Sequence, residues 1–234
     1  MLVLAIDTST NVGTAGLYSS ETGLVGEITI NIKRTHSENI MTAIDSLLKL
    51  TEKNIQDIDK IAVSIGPGSF TGIRIGVAAA KGLAYSMGKP IAAVNELDAT
   101  AFGAAETDCE IIPIIDARKE RGYYCCYKYE NGKIIRTEEY GVGEIREYLE
   151  NKKDKKVLFL GDGAIKYSAL IKEIMGDNAK FAMKSLSLPR AAVIAEMAVD
   201  TEDNLYTLEP FYLSKAQAER EKEAREQEKQ TTEI

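Results

Sequence analysis

Hydroxyl and carboxylate side chains are concentrated in Asp7-Thr8-Ser9-Thr10, directly after the short apolar run 2–6. In a tight turn, such hydroxyls and the free backbone amides can hold phosphate while a carboxylate binds Mg²⁺. We assign Asp7, Ser9 and Thr10, together with Ser69 from the loop described next, to a vestigial phosphate site. The alternative is a turn whose side chains satisfy only their own backbone amides.

A glycine-rich loop, Gly66-Pro67-Gly68-Ser69-Phe70-Thr71-Gly72, joins an apolar run that ends at Ile65 to a predicted helix. The free amides at the start of a helix can bind an anion. The loop is not a Walker A sequence, because no lysine follows its last glycine and Lys81 lies nine residues further on. A turn that needs positive φ and close packing remains the alternative.

The chain has few side chains that could bind a transition-metal ion, because it has one histidine, His36, and three cysteines. Two histidines on one helical face would need a second ligand at position 40, which is Ile40. A Ser-His-Asp triad with Ser9, Ser37 or Ser69 is disfavoured because no G-x-S-x-G sequence occurs. We therefore predict no metal site and no catalytic residue. Cys109, Cys125 and Cys126 cannot all pair, which favours a reducing cytoplasm.

The composition is that of a globular protein, with 234 residues, 44% hydrophobic and 28% charged. A formal charge of −7 and a pI near 5.0 disfavour an extended surface that binds nucleic acid. Any contact with RNA must therefore be local or made through a partner. No run approaches the ~20 apolar residues that span a bilayer. The N-terminus does not resemble a secretory signal, and we expect a cytoplasmic protein without membrane contact.

The elements that position these residues follow from hydrophobic spacing. Three strands, at 2–6, near 14–18 and at 23–32, precede a helix from residue 37. Strands at 61–65 and 91–94 then alternate with helices at 73–87 and 95–105. This order predicts an α/β fold of the actin-like or ribonuclease-H-like (ASKHA) class.

The pattern starts again at 111–115, followed by Asp116, with strands at 122–129 and 133–139 and helices near 143–151, 164–175 and 190–199. We infer an internal duplication of about 105 residues and two lobes with mixed sheets. The predicted division is 1–105 for the first lobe, 106–200 for the second, and 201–234 for a C-terminal segment. Within that segment, 215–234 form a charged tail that is helical, disordered or partner-binding.

Small residues recur every four positions in the helix that follows the glycine-rich loop, and so they share one face. A small-residue face lets another backbone approach closely, and the neighbouring amphipathic helix offers apolar residues beside it. We predict that both helices form a subunit interface, although packing inside the lobe would give the same pattern. The interface residues are Ile40, Ile44, Leu48, Gly72, Gly76, Ala80 and Ala84.

Six blocks together resemble the TsaB/YeaZ family: IDTST (6–10), THSENI (35–40), IGPGSFTGIRIGVAAAKGLA (65–84), VNELDA (94–99), DARKERGYY (116–124) and LEPFYL (208–213). The resemblance implies an actin-like fold with a degenerate second lobe. It also implies a non-catalytic subunit that dimerises with TsaD and activates it. TsaD transfers threonylcarbamoyl to the adenosine after the anticodon of certain tRNAs.

The family further implies the ATPase TsaE as third component, homodimers when TsaD is absent, and tRNA binding only through the complex. No cofactor is expected in this chain, since ATP and Mg²⁺ are used by the complex. The catalytic paralogue carries a metal-binding His-x-x-x-His, and here Ile40 replaces the second histidine.

Two other functions remain open. An actin-like ATP-binding phosphotransferase would use Asp7, Thr10 and Ser69, but Ser9 stands where such enzymes usually have a glycine that permits close backbone approach. A two-metal nuclease of the ribonuclease-H type needs several converging carboxylates, and Asp7 alone is well placed.

Overall fold

The computed structural model describes residues 1–31, 36–104 and 106–213. The first half contains β1 (Leu2–Asp7), β2 (Val12–Ser19), β3 (Gly23–Asn31), α1 (His36–Leu50), β4 (Lys60–Ser64), α2 (Phe70–Met87), β5 (Ile91–Val94) and α3 (Glu96–Phe102). The second half contains β6 (Glu110–Asp116), β7 (Arg121–Tyr124), β8 (Tyr127–Glu130), β9 (Lys133–Arg136), β10 (Gly141–Glu144), α4 (Ile145–Glu150), β11 (Val157–Leu160), α5 (Asp162–Lys166), α6 (Ser168–Met175), β12 (Ala179–Phe181) and α7 (Ala191–Met197). The charged tail 215–234 lies outside the described residues.

Two mixed sheets repeat one topology. The first has the order β3-β2-β1-β4-β5, with β1 antiparallel to β2 and parallel to β4. The second has the order β10-β7-β6-β11-β12, with β6 antiparallel to β7 and parallel to β11. The predicted α/β fold of two lobes is therefore confirmed, and the repeated element order is present in both sheets.

The strand predicted at 122–129 is wrong in one respect, because it is divided into β7 and β8. Both lie on the same edge of β6, but Cys125 and Cys126 between them leave the ladder. The carbonyl oxygen of Cys126 instead accepts hydrogen bonds from the amide and hydroxyl of Thr137. The helix predicted at 164–175 is likewise divided, at Tyr167, whose hydroxyl donates to Asp116.

The first sheet is buried on both faces. Its central strands β1 and β4 are apolar over residues 2–6 and 61–63, as expected for strands covered by helices on either side. Helices α1 and α2 cover one face with Ile44, Leu47 and Ile73, and α7 covers the other with Ile194 and Ala195. The sheet thereby holds the end of β1 in a closely packed layer.

Helix α7 belongs to the second half in sequence but packs on the first sheet. Gly16 permits this contact, because a Cβ there would lie 3.0 Å from the amide nitrogen of Ala192. Conversely, α3 packs on β6 through Leu97 and Ala101. The boundaries predicted at residues 105 and 200 therefore divide the sequence but not the packing, because α3 and α7 each pack on the sheet of the other half.

Residues 203–213 run along the first lobe and attach to it at several points. The amide of Asp203 donates to the carbonyl of Ile91, and the amide of Phe211 donates to that of Ile65. Lys81 of α2 donates to the carbonyl of Leu208 at 2.9 Å. Across the described ranges, every helix is too short or too polar to cross a membrane.

Candidate functional site

The predicted phosphate residues of the first turn lie at the carboxyl end of β1 and are closed to solvent. Asp7 and Ser9 are fully buried, and Thr10 is 6% exposed. The amide of Ser9 donates to Asp7 Oδ1 at 2.6 Å, and the amide of Val12 donates to Thr10 Oγ1 at 3.0 Å. The hydroxyl of Thr10 and one carboxylate oxygen of Asp7 therefore satisfy amides of their own turn, as in an Asx-type turn.

The glycine-rich loop closes directly onto this turn. The amide of Ser69 donates to the carbonyl of Ser9 at 2.6 Å. A Cβ on Gly68 would lie 2.1 Å from that same oxygen, and one on Gly72 would lie 2.0 Å from the carbonyl oxygen of Thr8. The glycines thus allow the loop to approach the chain's own backbone, in the place where a phosphate would have to enter.

Ser69 itself lies on the outer side of the loop. It is exposed, and its hydroxyl caps α2 by accepting from the amide of Gly72 at 3.2 Å. The structure brings Asp7, Ser9 and Thr10 into one buried turn but leaves the Ser69 side chain outside it. The phosphate assignment of these four residues stays a prediction.

A second carboxyl group, missed in the sequence, completes the site. Glu96 in the first turn of α3 is 1% exposed. Its Oε2 accepts from the hydroxyl of Ser64 at 2.9 Å, and its Oε1 accepts from the hydroxyl of Thr100 at 3.3 Å. The available signal was its position in the sequence. β4 and β5 run parallel to β1, so Ser64 at the end of β4 and Glu96 just after β5 lie on the sheet edge where Asp7 ends β1.

Burial and mutual repulsion keep this carboxyl pair from carrying two charges. Burial, and then the nearby charge of Asp7, raise the pKa of Glu96 well above its usual range. Burial also raises the pKa of Asp7, opposed by the hydrogen bond from the backbone amide of Ser9. Asp7 Oδ2 and Ser9 Oγ are buried without hydroxyl or amide partners among the described residues. The two raised pKa values therefore disfavour a second negative charge on this buried pair.

The small-residue face of α2 packs inside its own lobe. A Cβ on Gly76 would lie 2.6 Å from Thr8 Oγ1, and Ala80 and Ala84 are fully buried. Ile40 and Ile44 are each 3% exposed, and Leu48 packs at the edge of the same cluster. Packing within the lobe therefore accounts for the four-residue spacing of the small residues on α2. The faces of α1 and α2 that remain exposed to solvent are the opposite ones.

The position where the catalytic paralogue is expected to have its second metal ligand is also internal, since Ile40 lies in that apolar cluster. The side chain of His36 lies outside what the structure describes. Within the described ranges, no three His, Cys, Asp or Glu side chains converge closely enough to hold a metal ion.

Comparison with known proteins gives consistent matches. The family model of TsaD, tRNA N6-adenosine threonylcarbamoyltransferase, matches residues 19–222. The tRNA threonylcarbamoyladenosine biosynthesis protein TsaB of Bacillus subtilis (strain 168) is 35% identical over 223 residues, covering 94% of this chain and 96% of the relative.

Solved structures agree with these sequence matches. YeaZ from Pseudomonas aeruginosa superimposes with a TM-score of 0.76 at 26% identity, covering 91% of this chain and 99% of that one. The activator of the 2-hydroxyisocaproyl-CoA dehydratase from Clostridium difficile, with bound ADPNP, superimposes with a TM-score of 0.52 at 11% identity. The match covers 86% of this chain and 95% of that one. The second likeness shows the fold alone, which is of the actin-like class.

Proposed function

Because this chain belongs to the TsaB family, we propose that it takes part in forming threonylcarbamoyladenosine in tRNA, as a non-catalytic subunit that dimerises with TsaD and activates it. The observation that carries the proposal is the match to the B. subtilis TsaB over nearly the full length of both chains. The family model that matches is named after the transferase TsaD itself, so two related chains would pair. TsaE as third component, and tRNA bound through the complex, belong to the same proposal.

The closed first turn supports a non-catalytic role. Loop 66–72 occupies the approach to Asp7 and Ser9, and burial with mutual repulsion disfavours a second charge on the pair of Asp7 and Glu96. Ile40 lies in the apolar core, at the position where the resemblance expects a metal ligand in the catalytic paralogue. In this proposal the chain requires no cofactor, and ATP and Mg²⁺ act elsewhere in the complex.

We place the contact with TsaD on the outer faces of α1 and α2. Met41, Leu50 and Tyr85 are 45%, 78% and 70% exposed there. At the start of α2, Arg74 lies 3.9 Å from the ring centre of Phe70 and donates to the hydroxyl of Tyr212 at 2.8 Å. Aromatic and arginine side chains carry much of the binding energy in protein interfaces. The same faces would serve a homodimer.

Co-expression with the TsaD of the same organism, followed by size-exclusion chromatography, tests this proposal. Tyr85→Arg places a charge in the proposed interface and should abolish co-elution while leaving the melting temperature unchanged. Ile135→Arg, a 42% exposed position on β9, is the matched control and should still co-elute. A wild-type chain that does not bind TsaD, or equal loss in both variants, would contradict the proposal.

The rival is an ATP-binding phosphotransferase, which the actin-like fold and Asp7 keep as an alternative. We expect no ATP hydrolysis above the buffer rate by the isolated chain with Mg²⁺. Turnover that Asp7→Asn abolishes would favour the rival over the subunit role.

A further inference from the structure

The outer face of α2 is positively charged, although the formal charge of the chain is −7. Residues 60–95, which include the whole of α2, contain no Asp or Glu. Arg74 follows Phe70 by four residues and precedes Tyr85 by eleven, which places all three along one side of the helix. Lys81 lies between them on the same side. A cationic and aromatic surface is therefore present on a chain that is acidic as a whole.

Two aromatic rings hold Arg74 in one orientation on this surface. Its guanidinium lies 3.9 Å from the ring centre of Phe70, and its Nε donates to the hydroxyl of Tyr212 at 2.8 Å. The rings of Phe70 and Tyr212 stack on each other, with their centres 4.6 Å apart. Because the side chain is already ordered, Arg74 loses little conformational entropy when a further group binds to it.

Tyr212 is itself fixed by the segment 203–213. The amide of the preceding residue, Phe211, donates to the carbonyl of Ile65 at 2.8 Å. The ring of Phe211 packs edge-on against Tyr140 of the second lobe, with the ring centres 5.4 Å apart. The position of Tyr212 beside Arg74 is therefore set by contacts with both lobes, and it does not depend on Arg74 alone.

Arg74 is oriented but has no anionic acceptor. The ion pairs between described residues include neither Arg74 nor Lys81, and the exposed Glu209 on segment 203–213 pairs with neither. Within the described part of the chain, Arg74 Nε has an acceptor, whereas Nη1 and Nη2 donate to none. Forked guanidinium donors match the two oxygens of a carboxylate. A carboxylate against the outer face of α2 would satisfy them.

We infer that Arg74 binds a carboxylate on the surface of TsaD and that Tyr212 positions Arg74 for this contact. The inference rests on the proposed function, because it gives the partner's chemistry at the contact already placed on α2. A second copy of this chain is the less suitable partner, since its α2 likewise contains no Asp or Glu. Two such helices would bring like charges together. Arg74 thus favours the heterodimer over the homodimer.

The test measures the dissociation constant of the full chain for the TsaD of the same organism by isothermal titration calorimetry. Arg74→Gln should weaken binding by about tenfold or more, because charge-assisted hydrogen bonds to the partner are lost. Arg74→Lys keeps the charge but not the forked donors, and it should recover only part of the affinity. Raising the salt concentration from about 0.05 to 0.5 M should weaken wild-type binding more than that of Arg74→Gln.

Arg136→Gln is the matched control, because Arg136 is also exposed and lies 4.2 Å from the ring centre of a tyrosine, Tyr140. This variant should change the dissociation constant less than about twofold. Tyr212→Phe keeps the stacked ring and removes only the hydroxyl. It should weaken TsaD binding by about two- to fivefold while the melting temperature stays unchanged.

Equal affinity of wild type and Arg74→Gln for TsaD would overturn this inference and leave the partnership with TsaD intact. A wild-type chain that does not bind TsaD would overturn the proposed function, and the inference with it. Sedimentation equilibrium of the isolated chain tests the other partner. Self-association that Arg74→Gln weakens as much as TsaD binding would place the carboxylate on a second copy and contradict the assignment. Should Arg74→Gln fail to fold, Arg74→Lys decides.

Discussion

The hydroxyl of Thr8 donates a hydrogen bond to the carbonyl oxygen of Gly72, with 2.7 Å between the two atoms. This bond joins the end of β1 to the first turn of α2. One turn later, Gly76 leaves the space that the Thr8 side chain fills. The contact explains both the closure of the first-lobe turn and the small residues on the buried face of α2.

Gly76→Leu should therefore destabilise the folded chain itself. Overpacking against Thr8 costs about 1–3 kcal/mol or more, measured as a loss of unfolding free energy in urea. Gly82→Ala on the same helix is the control: it is exposed with no atom near its Cβ and should gain about 0.5–1 kcal/mol. A Gly76→Leu chain as stable as wild type would show that the face is open.

Glu96→Gln should change how stability depends on pH. The raised pKa means that folded Glu96 keeps its proton where the unfolded chain, titrating near its ordinary value of 4.5, has lost it. Wild-type stability therefore falls as pH rises above about 4.5, by at most ~1.4 kcal/mol per pH unit, until the folded pKa is reached.

The Glu96→Gln variant has no carboxyl group to titrate at this position, so its unfolding free energy should increase relative to that of wild type as pH rises. In the variant, only the smaller pH dependence caused by Asp7 should remain. Urea unfolding at a series of pH values measures the difference, with exposed Glu21→Gln as control. Parallel pH curves for wild type and Glu96→Gln would show that the pKa of folded Glu96 is not raised.

Lys60→Met should loosen α7 from the first sheet. Lys60 is 5% exposed, and its ammonium donates to the carbonyl oxygens of Ala198, Val199 and Thr201 at 3.1, 2.9 and 2.7 Å. Leaving these acceptors unpaired costs about 1–3 kcal/mol. Hydrogen exchange of α7 amides should accelerate. Lys49→Met, with a side chain 74% exposed, should change stability by less than about 0.5 kcal/mol.

Asp98→Asn should weaken the contact between the two lobes. The carboxylate on α3 accepts from the hydroxyls of Tyr127 and Tyr140, each at 2.6 Å. An amide offers one acceptor oxygen and no charge, so we expect a loss of about 1.5–3 kcal/mol in urea unfolding. Exposed Asp154→Asn should have little effect. Additive costs of Asp98→Asn and Tyr140→Phe in a double-mutant cycle would argue against the bond.

The sequence determined the class of fold and the family. Apolar runs, helical spacing and the repeated order of elements predicted two α/β lobes. This was possible because the hydrophobic periodicity of a helix or strand can be read from neighbouring residues alone. The blocks around residues 65–84 and 116–124 carried the family resemblance. Hydroxyls and a carboxylate after the first strand also predicted the turn at Asp7, which the structure contains, while the phosphate site assigned to that turn stays a prediction.

Only the tertiary structure decided what covers each face and which charges meet. Spacing shows that Gly72, Gly76, Ala80 and Ala84 share a face, but the same spacing fits a partner subunit or the chain's own β1. Glu96 comes close to Asp7 because parallel pairing brings distant strand ends to one edge of the sheet. Burial there, which no local pattern encodes, raises the pKa of both carboxyl groups. Helix α7 crosses to the first sheet for the same reason: long-range packing assigns a helix to its layer.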